Sequence, residues 1–149
     1  MKIRVPLRKI KIDVIGCHLL VKATVNKKNI WLVLDTGASQ TILDYHLAEE
    51  FSNDKPRHVK AAVSTGVGGE SLKTHFIIVD RFAVGQAVWH DRLLVLLEMH
   101  HINNSYEKMG KQKIQGILGG DFLNLFQAII DYKNKQLILT LPPKRKKKS

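Results

Sequence analysis

The chain has 149 residues, 44% of them hydrophobic and 25% charged, a composition that fits one globular domain with room for a sizeable core. No apolar run approaches the ~20 residues that a membrane-spanning helix requires, and Cys17 is the only cysteine, so no intrachain disulfide can form and nothing points to an oxidising compartment. The net charge of +11 gathers partly at one end: Lys144, Arg145, Lys146, Lys147 and Lys148 are consecutive, and taking these five away leaves +6.

In chain order, the opening "MKIRVPLRKIKID" spaces apolar residues between charges and has no continuous apolar stretch of the signal-peptide kind. A cytoplasmic protein is the expectation. "KIKIDVIG", residues 9–16, alternates strictly and predicts a strand, and "HLLVKATVN" predicts a second. After a polar connection, "IWLVL" predicts a third strand that runs straight into Asp35. A short helix is expected across "DYHLAEEF", with Asp44 as N-cap and Leu47 and Phe51 four apart on one face. "HVKAAVS" and "LKTHFIIVDRFAVG" predict strands on either side of "TGVGGE", and "AVWHDRLLVLL" predicts another. Residues 98–115 are polar and irregular, a loop with some helix. The remainder, "IQGILGGDFLNLFQAIIDYKNKQLILTL", predicts a buried strand, a short helix starting near Asp121, and a hairpin turning at Lys133, Asn134 and Lys135. The whole predicts an all-β fold, mainly β with one or two short helices, closed or nearly closed like a barrel, over residues 1–141. Residues 142–149 form a basic tail set off by Pro142 and Pro143. With no aromatic residue to stack on a base, it is expected to be a disordered, solvated end rather than a nucleic-acid site.

The chemistry centres on Asp35. Burial at the end of an apolar strand favours the neutral form of a carboxyl group. Gly37 lets a backbone amide come close, and Thr36 offers a supporting hydroxyl. Asp-Thr-Gly is also a common turn, and the triplet alone does not separate the two readings. Its surroundings do. "LVLDTGAS", from Leu32 to Ser39, resembles the active-site signature of the aspartic proteases, and Ala38 in the fourth place resembles the retroviral-type, or retropepsin-like, branch. "TGVGGE" resembles that branch's glycine-rich flap tip, and "GILGGDFL" resembles the segment that passes behind the catalytic loop. The three motifs fall in the family's order, and the resemblance covers about residues 21–141.

The resemblance implies that Asp35 is catalytic and that Thr36, Gly37, Ala38 and Ser39 support it. Gly66, Val67, Gly68 and Gly69 would be the flap over bound peptide, while Ile117, Leu118 and Gly119 would pass behind the site. Asp121 is expected to be an N-cap or a surface acid, not a second catalytic group. Ala38, the flap and some apolar residues between 93 and 97 are candidate subsite walls. Trp31 and Trp89 are core or subsite walls, and Cys17 is a small buried hydrophobe. No cofactor is expected, because no phosphate loop, dinucleotide fingerprint or Gly-x-Ser-x-Gly appears. No metal is expected either, since His90, Asp91, His100 and His101 match no zinc spacing.

This chemistry needs two carboxylates, and the chain has a single Asp-Thr-Gly with no Asp-Ser-Gly. A two-fold homodimer, each subunit contributing Asp35, is the economical answer, with polypeptide as substrate. "KIRVP" and "QLILTL" are candidates for terminal strands interleaved between subunits. The competing readings are a catalytically silent dimeric scaffold, which the intact Asp35, Thr36 and Gly37 disfavour, and a dimeric platform that binds nucleic acid through the tail.

Overall fold

In the computed structural model, which describes residues 1–47 and 75–144, β-structure dominates. The strands are β1 (Lys2–Lys11), β2 (Cys17–Val25), β3 (Lys28–Leu34), β4 (Ile42–Asp44), β5 (His75–Val84), β6 (Ala87–Leu97), β7 (Gly116–Leu118), β8 (Ile129–Asp131) and β9 (Gln136–Thr140). Two helices, α1 (His100–Lys108) and α2 (Gly120–Leu125), and a 3-10 turn at Tyr45–Leu47 complete the described elements. The expected strand at residues 58–64, the flap at Gly66, Val67, Gly68 and Gly69, the rest of the helix expected through Phe51 and the tail beyond Lys144 lie outside the described residues. No described helix is long and apolar enough to cross a membrane.

The strands run in the order β3-β7-β4-β6-β5-β2-β1-β9-β8, and a further β2–β3 pairing closes the first six into a barrel. The expected mainly-β, closed architecture is therefore the observed one. Inside lie Leu32, Leu43, Val79, Phe82, Leu96, Leu118 and Phe122 among others, all buried. The alternating strands put every second side chain here. Phe122 of α2 meets Trp89 at 4.9 Å and Phe126 at 4.7 Å between ring centroids, both tilted or edge-on. That cluster fixes α2 against the barrel and so fixes the loop in front of it. Trp89 is thus core.

Three local expectations change. The strand expected over residues 9–16 lies further back, in β1, and ends at Lys11. Asp13 is the cause: its Oδ1 accepts the amides of Ile15, at 3.0 Å, and Gly16, and turns the chain. Val14 and Ile15 are left fully outside, 98% and 94% exposed, although their pattern was that of a strand. Cys17, at the start of β2, is only half-buried.

The second change concerns residues 98–115. Helix α1 packs on the outer barrel wall and builds a second, smaller core from Ile10, Leu20, Met99, Tyr106 and Ile114, with Trp31 and Val33 packed against it. Burial raises the pKa of the Tyr106 hydroxyl, which pairs with Nδ1 of His18. Asn103 Oδ1 accepts the Ile114 amide at 2.9 Å and ties the end of the segment back to the helix.

The third concerns the ends of the sheet. β1 pairs with β9 within the same chain, Lys2 opposite Thr140 through Pro6 opposite Gln136. The two strands considered for interleaving between subunits thus pair with each other within one chain. At the end of the strand order, β8 pairs with β9 alone among the described residues. Its turn is held by Asp131, whose carboxylate accepts the Asn134 amide at 3.0 Å and side chain at 2.8 Å. Those bonds, the amide first, lower the Asp131 pKa. A depressed carboxylate adds stability in full above about pH 4 and loses it as pH falls through its own lower value. Titration by NMR is expected to show the Asn134 amide shifting below pH 4, in step with Asp131. An Asn134 amide indifferent to Asp131 protonation would refute this.

Candidate active site

β3 carries Leu32, Val33 and Leu34 along β7 in parallel register with Gly116, Ile117 and Leu118, and the Asp35 amide extends the ladder to Leu118 O at 3.1 Å. The chain then leaves the sheet as an exposed turn and returns in β4, which pairs with the other edge of β7. β7 therefore threads between the strand that delivers Asp35 and the strand that recovers the chain after it. The fit is close. A Cβ on Gly116 would stand 2.3 Å from Ile42 O and 2.7 Å from Leu32 Cδ2. One on Gly119 would stand 2.6 Å from the Gln40 carbonyl and 2.9 Å from Ala38 O. Such distances are far inside contact, so only glycine lets the segment pass.

Within the turn, the Gly37 amide donates to Asp35 Oδ1 at 2.9 Å and the Ala38 amide donates to Asp35 O at 3.2 Å. Asp35 Oδ2 accepts no bond among the described residues. Asp35 and Ala38 are half-buried, while Thr36, Gly37 and Ser39 are exposed. A carboxylate with one oxygen held and the other open is arranged to exchange a proton with a bound molecule.

The turn is pinned from behind. The Gly120 amide donates to Ala38 O at 2.7 Å and the Asp121 amide to Ser39 O at 3.1 Å. Asp121 was expected to be an N-cap or surface acid, and it is neither. Gly119 is the N-cap of α2, and the half-buried Asp121 carboxylate accepts the Thr41 amide at 2.9 Å, its hydroxyl at 2.7 Å, and the Phe122 amide at 2.8 Å. Thr41 Oγ1 in turn accepts the buried Gly119 amide at 3.1 Å. The sequence offered a weak signal for this brace, a threonine six places after Asp35 and an acid after the double glycine. Neither singles the pair out without the fold.

A family model described as aspartyl protease matches residues 21–122. The chain belongs to the aspartyl protease family. Two solved structures fit this aspartyl protease family member along most of its length. One is a retropepsin-like aspartic protease from Rickettsia conorii, 21% identical, with a TM-score of 0.55 over 93% of this chain and 90% of that one. The other is the retroviral protease-like domain of Ddi1 from Leishmania major, 19% identical, with a TM-score of 0.54 over 86% of this chain and 96% of that one. At that identity each likeness is one of fold, and the fold is the retropepsin-like one. No curated protein matches the chain in sequence.

In this aspartyl protease family member, Ile117, Leu118 and Gly119 lie behind the Asp35 turn as part of β7 and the link to α2. Thr36 borders a shallow hollow of about 290 Å³ with Gly120, Leu123, Asn124, Gln127 and Ala128. Of the wall residues considered between 93 and 97, Leu94 and Leu96 point into the core, whereas Leu93 and Leu97 are exposed. Trp31 is covered by α1 as part of the second core. Among the described residues no three His, Cys, Asp or Glu side chains are grouped to hold a metal ion.

Proposed function

We propose that the chain is an aspartic endopeptidase whose site is completed by a second copy of itself. The observation that carries this is the lone Asp35, half-buried on a braced turn with one oxygen unclaimed, while Asp121, the other carboxylate at that turn, is committed to Thr41. Two carboxyls a few ångströms apart share one proton, because both cannot ionise together. The ionised Asp35 takes a proton from water as its oxygen bonds to the scissile carbonyl carbon. The protonated Asp35 of the second copy hydrogen-bonds the carbonyl oxygen. When the C–N bond breaks, the nitrogen leaves with a proton from the dyad, and a carboxylic acid and an amine are released.

Thr36, exposed beside Asp35, would brace the pair across the two-fold axis, and Gly66, Val67, Gly68 and Gly69 would close over the peptide and keep water out. The outer edge of β8, without a partner strand among the described residues, begins beside the hollow that Thr36 borders, and Leu125 and Ile129 there are 52% and 51% exposed. A strand paired on one side only, with apolar neighbours, is a surface on which a second copy can add its own edge.

Incubation with a diverse peptide library from mildly acidic to neutral pH tests the activity and is expected to yield internal cleavages. Activity per subunit is expected to fall on dilution once dimers dissociate. Strict proportionality down to concentrations where sedimentation shows monomers would refute the shared site.

A further inference from the structure

The segment that builds the second core also builds something that hydrolysis at Asp35 does not use. Between the last residues of β1 and the turn after α1 lies a groove of about 390 Å³, lined by Arg8, Lys9, Ile10, Lys11, Gly110, Lys111 and Gln112. Four of these carry a positive charge and none carries a negative one. A second hollow, of about 430 Å³, shares Lys111 and adds Lys113 and His100, with Glu107 as its one acid. None of these lysines, nor Arg8, has an ion-pair partner among the described residues.

The groove is built rather than incidental. Ile10 on one wall and Tyr106 and Ile114 flanking the other belong to the same buried cluster, so the two walls are held at a fixed separation. The Arg8 guanidinium is hydrogen-bonded to Gln112 Oε1 across it. Lys111 follows Gly110, which takes a left-handed φ of +67°, and donates its amide to Tyr106 O at 2.7 Å. Holding like charges together on a rigid frame costs self-repulsion, which a bound anion relieves.

We propose that this groove is a docking site for an acidic stretch of the polypeptide substrate, outside the catalytic cleft; the inference rests on the protease reading above. Lys9 and Lys11 are two apart on one strand, about 7 Å, the spacing of alternate carboxylates on an extended acidic peptide. The groove offers no exposed aromatic on which a base would stack, since Tyr106 is 2% exposed, and this favours peptide over nucleic acid. Arg8 pairs through Leu20 to Val33, so the groove lies two strands, about 10 Å, from the residue two before Asp35. At about 3.3 Å per residue, half a dozen extended residues link groove and cleft.

The test uses the full chain and one cleaved library peptide, made with and without a run of six glutamates beyond a short spacer. The acidic run is expected to lower KM roughly tenfold at low salt with kcat unchanged, and the gain is expected to vanish in high salt. A Lys9→Glu/Lys111→Glu variant should lose the gain while cleaving the plain peptide at the wild-type rate. A Lys9→Gln/Lys111→Gln variant, which adds no new charge, should lose most of it with an unchanged melting temperature. An acidic run without effect, or an effect that survives both variants, overturns the proposal. So does anisotropy showing a labelled oligouridylate binding tighter than the glutamate peptide and lost in the same variants. If no peptide is cleaved at all, the protease reading fails by itself, and the labelled glutamate peptide still decides whether the groove binds acids.

Discussion

Replacing Asp35 with Asn is expected to lower peptide cleavage by at least about 10³-fold while leaving the fold and the dimer in place. The amide oxygen of Asn still accepts the Gly37 amide that Asp35 Oδ1 accepts at 2.9 Å, so the turn keeps its shape. What is lost is the ability to take a proton from water. Circular dichroism and gel filtration should match the wild type, and a variant with full activity would end the assignment. Mixing carries the argument further. In an equal mixture of wild-type and Asp35→Asn chains that exchange freely, about a quarter of the dimers hold two aspartates, so activity should fall to about a quarter of the unmixed value. A monomeric site would leave half.

The second large effect is expected at Gly119. An alanine there would place its Cβ 2.6 Å from the Gln40 carbonyl and 2.9 Å from Ala38 O, backbone atoms with nowhere to retreat. Relieving that overlap moves β7 away from the Asp35 turn and stretches the Gly119 bond to Thr41 Oγ1 and the Gly120 bond to Ala38 O. The expected cost is about 3 kcal/mol, which for a domain of this size lowers the melting temperature by roughly 6–12 °C. The surviving folded protein should also cleave poorly, because the turn is no longer pinned. Gly120→Ala is the control: its Cβ would lie 3.4 Å from Ala38 O, near ordinary contact, and it should melt within a few degrees of wild type. Equal melting temperatures for wild type and Gly119→Ala would show that β7 does not brace the site.

Much of this was legible in the residues, and the exceptions share a cause. β2, β3 and β6 follow local alternation, and β6 matches its expected bounds because Ala87 to Leu97 is bracketed by turn residues and the end of the apolar run. Asp35 stands out as an acid at the end of an apolar strand, and Gly119 because backbone passes too close to it for any side chain. The misplaced strand at residues 9–16 shows a local contest that alternation does not register, in which one Asp13 side chain outbids the strand. Helix α1 was only half visible because its own surface is polar, and its stability comes from Ile10, Leu20 and Ile114, which belong to other parts of the chain. The Thr41–Asp121 brace joins residues 80 positions apart. The pairing of β1 with β9 is likewise a choice of partner, and no window of sequence contains it.

That last pairing has a consequence in time. Ile3 lies opposite Leu139, 136 positions later, so nearly the whole chain must be brought to order before this ladder can zip. Closing so long a loop is entropically unfavourable until the intervening strands have shortened it, and contacts of such range slow folding. The barrel strands β2, β3, β5 and β6, joined by local hairpins, can assemble early, leaving β1 and β9 to join late. β8, whose edge is proposed to receive the second copy, hangs on β9 and arrives with it. On this ordering a chain becomes competent to dimerise through β8 only after its own β1 and β9 have joined, so assembly by that edge waits on the completion of each molecule.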